Sequence, residues 1–395
     1  MKKRIMHVSQ SNGGVAKYLQ MLFKYMNRSR YEQILVYPNE YSDEEKNFNN
    51  LVDKIEFIDI NREISLKGDI KALIQLYKVI KKYNPDLIYV HSSKAGALGR
   101  IVNILTRKPI IYNPHGWAFN MGSSNKKKVI YKLIEKILAK KCDQIIAISE
   151  QEKKSALSNK ICEEEKIQVI FNGIDVEEYE NSIIDKYKCR KKLGIPNDSV
   201  VIGMVGRISK QKAPDTFIKV AAKIKKKLPN AFFVIVGDGD ERKKIEELID
   251  KLGLRDSILI AGWVKNSYEY IQAFDVAMLL SRWEGFGLAI AEYMISKKPI
   301  IATNVDAIPN LITNDETGVL VEVDNVSEIV KGIVKIINNK EFSDYIAENA
   351  RIKVKKDFDV RRVALEHENM ICEILNELHK LKTVSKEESN GLNNI

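Results

Sequence analysis

V-I-G-M-V-G-R-I-S-K-Q-K-A-P-D-T-F-I-K-V, residues 201–220, reads as a buried strand, a loop carrying Arg207 and Lys212, and a helix that starts near Pro214. Strand-like runs continue downstream in A-F-F-V-I-V-G-D, S-I-L-I-A-G-W, D-V-A-M-L-L-S and K-P-I-I-A-T-N. The first half has the same rhythm: K-R-I-M-H-V-S-Q leads into G-V-A-K-Y-L-Q-M-L-F-K-Y-M, followed by E-Q-I-L-V-Y-P, D-L-I-Y-V-H, P-I-I-Y-N-P-H and D-Q-I-I-A-I-S. Strands alternating with helices predict an α/β fold of mostly parallel sheets covered by helices. A non-periodic stretch near 176–199 separates the two runs, so 395 residues are expected to form two Rossmann-like domains.

Composition narrows the class. Apolar and charged fractions of 45% and 30% are those of a soluble globular protein. Cys142, Cys162, Cys189 and Cys372 are scattered without a C-x-x-C pair, which suggests neither a disulfide framework nor a zinc site. M-K-K-R-I-M-H-V-S-Q lacks an apolar region of signal-peptide length, and no later run approaches the roughly 20 residues of a bilayer span, so a cytoplasmic protein is expected. Much of the net charge of +11 falls between Asp86 and Cys142. There, K-K-K-V-I-Y-K-L-I-E-K-I-L-A-K-K reads as a helix with Val129, Ile130, Leu133, Ile134, Ile137 and Leu138 on one side. Lys128, Lys132 and Lys136 occupy the other side, either as a solvated face on a helix packed against its own sheet or as a surface for anionic lipid heads. The segment lacks the interleaved aromatics of a nucleic-acid reader.

A second stretch, S-R-W-E-G-F-G-L-A-I-A-E, residues 281–292, sets Glu284 and Glu292 across a glycine-broken loop that runs into a helix. Gly285 and Gly287 let backbone N–H groups approach an anion at that helix N-terminus, while the two carboxylates can accept hydrogen bonds from separate hydroxyls of one ligand. Two glutamates so spaced also occur on solvated helices, and Arg or Lys after a strand is also ordinary surface. Their combination and order decide the reading. The 281–292 stretch resembles the E-x7-E motif of retaining glycosyltransferases of family 4, and G-R-x(4)-K at 206–212 resembles that family's cationic loop. The resemblance extends to about residue 380.

It implies the GT-B fold, two Rossmann-like domains facing a central cleft. Residues 1–180 would form the acceptor-side domain and 181–361 the nucleotide-sugar domain, with helix 362–382 packing back on the first domain and 383–395 a disordered tail. It further implies that Arg207 and Lys212 meet the donor diphosphate, that Glu292 binds the nucleotide ribose, and that Glu284 with the backbone of Gly285, Phe286, Gly287 and Leu288 holds the sugar. Gly13 and Gly14, in S-N-G-G-V-A-K, match the glycine loop under the diphosphate, and His115, in P-H-G-W-A-F, matches a histidine beside the reacting sugar. Ala213 departs from the usual Gly after the Lys. His7 and His91 carry no assignment, while Lys94 and Arg100 are candidates for acceptor contact. Asp238-x-Asp240 imitates the metal motif of another glycosyltransferase class; with two cations already on the diphosphate, a turn is expected, with no metal or other cofactor. The implied donor is a nucleotide sugar, by family habit a UDP-sugar, and the implied acceptor a glycan on a polyprenyl diphosphate, reached by peripheral contact with anionic membrane. A sugar-nucleotide epimerase of the same fold and, more remotely, a basic nucleic-acid-binding protein are the rival readings.

Overall fold

A computed structural model describes residues 2–10, 13–61, 63, 65–120, 124–182 and 184–392, with side chains described to residue 376. The chain divides into two units, one of Met1–Asn172 with Val360–Ile395 and the other of Gly173–Asp359. The division falls inside I-Q-V-I-F-N-G-I-D rather than after residue 180.

The first unit runs β1 (Lys3–Ser9), α1 (Gly14–Tyr25), β2 (Tyr31–Pro38), β3 (Lys54–Ile58), α2 (Leu66–Tyr83), β4 (Leu87–His91), α3 (Ser93–Thr106), β5 (Ile110–Asn113), α4 (Asn125–Ala139), β6 (Gln144–Ala147), α5 (Glu150–Ser158) and β7 (Ile167–Val169). The strands form one parallel sheet in the order β3-β2-β1-β4-β5-β6-β7. Period-two alternation sends Met6 and Val8 into one core with Leu76, Val90 and Ala156, while Ile5 faces a second core with Leu19, Leu35 and Tyr89. Helices α2, α3, α4 and α5 therefore cover one face and α1 the other.

The second unit contains α6 (Val176–Asn181), α7 (Lys186–Lys192), β8 (Val200–Val205), α8 (Pro214–Lys227), β9 (Ala231–Val236), α9 (Arg242–Lys251), β10 (Ile258–Gly262), α10 (Ser267–Ile271), β11 (Val276–Leu279), α11 (Leu288–Ile295), β12 (Ile300–Thr303), α12 (Ile308–Leu311), β13 (Val319–Val321), α13 (Val326–Asn338) and α14 (Lys340–Asp357). Its parallel sheet has the order β10-β9-β8-β11-β12-β13. The order reverses between β8 and β11, the place where open sheets of this kind bind ligands. The last helix, α15 (Val360–Leu392), returns to the first unit, where Val363, Ala364, Met370 and Ile371 join the core of α1. It continues through much of the segment assigned to a tail, and residues 393–395 lie outside those described.

Helix α4 overturns one expectation. Val129, Leu133 and Ile137 are 67%, 58% and 55% exposed, Ile130 is also exposed, and of the apolar stripe only Leu138 is buried. The inward side instead carries Glu135, whose carboxylate receives Arg100 Nη2 at 2.8 Å and Tyr112 Oη at 2.8 Å. Arg100 stacks over the Tyr112 ring at 3.8 Å, so this polar triad occupies the space that the apolar stripe was expected to fill. Lys128 and Lys132 lie on the flank, half-buried, with Lys132 Nζ over the Phe119 ring. Arg100 is fully buried and committed to Glu135, which removes it as an acceptor contact. Lys94 pairs with Asp69 at 2.5 Å.

Candidate active site

Two loops at the carboxyl ends of β8 and β11 are bound together. In the first, Gly206 follows the strand and the stem of Lys212 lies over it, so that a Cβ at Gly206 would stand 3.4 Å from Lys212 Cγ and Cδ. The Lys212 ammonium bonds Glu284 of the second loop. Glu284 is buried; the same carboxylate oxygen accepts Ser281 Oγ at 3.0 Å, and the Glu284 N–H donates to Asp306 Oδ2 at 2.8 Å. Gln211 Nε2 donates to the Trp283 carbonyl at 2.9 Å. Arg282 donates through Nη1 to the Lys210 carbonyl at 2.9 Å and pairs with Asp215 and Asp324. These contacts hold Lys212 and Glu284 at a set spacing before any ligand arrives.

Arg207 sits differently. Its guanidinium is exposed, 3.1 Å from Asp240. Its backbone neighbours are locked: the Gly206 N–H donates to the Val236 carbonyl at 2.9 Å and the Ile208 N–H to the Asp238 carbonyl at 3.0 Å. V-G-D-G-D packs so closely that a Cβ at Gly237 would fall 2.0 Å from the Gly206 carbonyl oxygen, and one at Gly239 2.3 Å from that of Ile208. Asp238 accepts the Gly239 N–H at 2.8 Å and pairs with Arg242 at 2.8 Å, which together hold its carboxyl below the ordinary range. The D-x-D segment thus braces the cationic loop. Among the described residues no group of three or more His, Cys, Asp or Glu is placed to hold a metal ion.

The 281–292 stretch ends in α11. Gly287, at φ +93°, is its N-cap in the left-handed region that glycine alone enters without strain. The helix has neither a side-chain cap nor an acid in its first turn, which leaves its first N–H groups for an anion or a hydroxyl. Phe286 is buried against Phe358, and Gly285 and Leu288 are half-buried. Glu292 is buried within α11 and stands on other partners: Tyr179 Oη donates to Oε1 at 2.6 Å and Ser267 Oγ to Oε2 at 2.9 Å. Burial, then the Glu292 carboxylate, raises the Tyr179 phenol well above its usual value.

The first unit carries its own group of strand-end residues. Gly13, at φ +73°, caps α1, and a Cβ on Gly13 or Gly14 would meet nothing within 4 Å. His115 follows β5 at φ +51°, with its N–H on Asn113 Oδ1 at 2.9 Å and its ring T-shaped against that of Tyr18, the centroids 4.8 Å apart. His7 and His91 prove to be its companions. His115 Nε2 lies 3.1 Å from His91 Nδ1, His91 Nε2 lies 3.0 Å from His7 Nδ1, and His7 Nε2 lies 2.9 Å from Gln33 Oε1. Burial lowers His7 and His115 to about 3, and His91 well below its ordinary value.

Comparison with known proteins bears on both units. Residues 12–178 match the family described as Glycosyltransferase Family 4, and residues 185–353 match Glycosyl transferases group 1. The UDP-Gal:alpha-D-GlcNAc-diphosphoundecaprenol alpha-1,3-galactosyltransferase of Escherichia coli is 33% identical over 303 residues, 76% of this chain and 78% of that protein. The chain belongs to glycosyltransferase family 4. CapM, the capsular polysaccharide biosynthesis glycosyltransferase of Staphylococcus aureus, is 30% identical over 81% of this chain and 85% of its own length. In fold the family 4 enzyme resembles Anabaena HepE in complex with UDP (TM-score 0.79, 22% identity, 94% of this chain and 100% of that one). Sucrose-phosphate synthase of Thermosynechococcus elongatus is similar too (TM-score 0.82, 20% identity, 95% and 100%). Both have the GT-B fold, and so does this chain.

In this glycosyltransferase, Ala213 takes φ +50°, the left-handed conformation for which the more usual glycine is suited. The alanine therefore keeps the loop's path at some backbone cost, and its methyl is buried. Sequence reading missed Tyr179, Ser267, Gln211, Arg282, Gln33 and the link through His7 and His91. Only the strand-end histidines were visible as a signal, since the other partners are joined to the site by the fold alone.

Proposed function

We propose that this glycosyltransferase moves a sugar from a UDP-sugar to a hydroxyl of a polyprenyl-diphosphate-linked glycan, with retention at the anomeric carbon. The observation that carries the reading is the Lys212–Glu284 pair beside the uncapped N-terminus of α11, which sets a cation, a hydroxyl acceptor and N–H donors along one edge. Lys212 keeps two further N–H groups for a phosphate oxygen after bonding Glu284. Arg207 adds a second cation; both stabilise the diphosphate as it departs, where charge develops. Glu284 and the backbone of Gly285–Leu288 hold the sugar, Glu292 takes the ribose with Tyr179 and Ser267 fixing its carboxylate, and His115 contacts the sugar. The acceptor hydroxyl attacks from the face the diphosphate leaves, and a departing phosphate oxygen takes its proton. The name of the E. coli relative supports a UDP donor and a lipid-diphosphate acceptor. Thermal-shift titration with UDP-, GDP- and dTDP-sugars tests the donor: stabilisation by a UDP-sugar supports the reading, and response to another nucleotide alone overturns it.

The acceptor places the enzyme at an anionic bilayer, which it meets with the outer face of α4, flanked by the half-buried Lys128 and Lys132 and the exposed Lys136. Exposed Val129, Ile130, Leu133 and Ile137 supply apolar contact on that helix, and Ile101, Ile104 and Leu105 of neighbouring α3 are exposed as well. A second copy of this chain would bring the same lysines against them, whereas acidic headgroups complement them. No described helix is long and apolar enough to cross a membrane. Cosedimentation with anionic and with neutral vesicles tests this: loss of anionic-vesicle binding on Leu133→Gln/Ile137→Gln is expected. Unchanged binding, or a parent that self-associates through this face, refutes it.

A further inference from the structure

Four polar side chains form a file across the sheet of the first unit: Gln33 on β2, His7 on β1, His91 at the end of β4, and His115 beyond β5. Gln33, His7 and His91 are fully buried, so each link must join a donor to an acceptor. A neutral imidazole has one N–H and one lone pair, and the direction of one bond therefore dictates all the others. Gln33 sets that direction. Its amide nitrogen lies 3.4 Å from the Met26 thioether, a group that can accept but not donate, and its carbonyl oxygen faces His7 Nε2 at 2.9 Å. His7 must then donate from Nε2, His91 from Nε2 to His7 Nδ1, and His115 from Nε2 to His91 Nδ1.

We propose that Gln33, His7 and His91 are positioning residues that hold His115 as the Nε2–H tautomer, so that its Nδ1 offers a lone pair to a hydroxyl of the donor sugar. This rests on the reading of His115 as a sugar contact. The His115 site then recognises a hydroxyl donor, and a sugar lacking that hydroxyl is handled poorly. The T-shaped contact with Tyr18 holds the ring plane while the file sets the proton.

Long-range 1H–15N correlation of protein labelled with 15N-histidine reports the tautomer directly, with the His115→Asn variant identifying the signal. The parent should show His115 protonated on Nε2 without any donor present. Gln33→Leu removes the reference acceptor and should give a mixture of tautomers. Its kcat/KM should fall by about 3- to 10-fold, the scale of one neutral hydrogen bond. Gln33→Glu restores an acceptor and should recover the Nε2–H form. His91→Phe, which cuts the file one link nearer, should release the tautomer as well. A parent His115 protonated on Nδ1, or a tautomer unmoved in both Gln33→Leu and His91→Phe, overturns the proposal. The spectrum needs no substrate, so failure of the UDP-sugar reading would appear separately, as a parent enzyme with no donor response but the same tautomer.

Discussion

Replacing Lys212 by Met removes the ammonium yet keeps most of the stem over Gly206. Glu284 then has Ser281 Oγ as its remaining side-chain donor while staying 8% exposed. Removing one partner of a fully buried pair costs about 3–5 kcal/mol. The Lys212 and Glu284 side chains retain 16% and 10% exposure, so solvent screening reduces the cost to about 2–3 kcal/mol. That corresponds to a fall in Tm of roughly 4–12 °C for a domain of this size. Turnover should drop by about 10²–10³, the scale for one lost transition-state stabiliser. Adding Glu284→Gln replaces the stranded charge with an amide and should recover most of the stability but none of the turnover. Arg207→Ala is the control: its side chain and that of Asp240 are 61% and 68% exposed, a pair worth about 0–1 kcal/mol, so turnover should fall while Tm holds. Differential scanning calorimetry beside a UDP-release assay separates the effects. A Lys212→Met protein with unchanged Tm, or a double variant with no recovery, would refute the coupling of the two loops through this pair.

Three further outcomes follow from the same geometry. Gly237→Ala should destabilise the second unit by about 1–3 kcal/mol and weaken donor binding, because the added methyl would fall 2.0 Å from the carbonyl oxygen of Gly206, whose N–H ties the Arg207 loop to Val236; denaturant midpoints and donor titration check both effects. His7, His115 and His367, the last buried on α15 with its Nε2 2.6 Å from Tyr18 Oη, are lowered from 6.5 to about 3 by burial, so the unfolded chain binds protons that the folded chain refuses between those values. Stability should be full above pH 6.5 and fall as pH drops toward 3, by more than about 1 kcal/mol per unit, which guanidinium midpoints at pH 7 and 5.5 would detect; equal midpoints contradict it. Activity should survive excess EDTA, while loss restored by Mg²⁺ would reassign Asp238 and Asp240.

How much could be read in advance depended on whether the cause was local. The central strands β4, β8 and β11 are near-continuous apolar runs because helices cover both faces, and such runs show in the sequence. Strands β3, β7 and β13 passed unnoticed as strands: β7 and β13 are each three residues long, and β3 is only partly buried. Glu284, Arg207 and Lys212 were visible through motif order, but Glu292 takes its hydroxyl partner from Tyr179, 113 positions away, and no spacing rule links them. The histidine file has the same origin, since adjacent parallel strands bring together His7, Gln33 and His91, residues far apart in the chain.

Helix α4 shows what periodicity leaves undecided. A hydrophobic stripe at helical spacing identifies two faces, but the assignment of the apolar one to the core assumes that the core has apolar space to fill. Here the space belongs to Arg100, Glu135 and Tyr112, a buried pair whose charge needs all of its partners nearby. Glu135 is the lone acid among the lysines of this helix, and that exception marks the inward side more reliably than the stripe does. Once Glu135 points inward, Val129, Leu133 and Ile137 must point out, and a helix with an apolar outer face and lysines on its flanks costs free energy in water. Covering that face would recover the cost. Charge restricts the cover to something acidic, so Glu135→Leu provides a test of both steps: it should strand Arg100 and destabilise the first unit by about 3–5 kcal/mol, while restoring Arg100→Met beside it should return much of the loss. Vesicle binding by that double variant should match the parent, because the outer face is untouched; a double variant that folds but no longer binds would contradict the proposed membrane contact through that face.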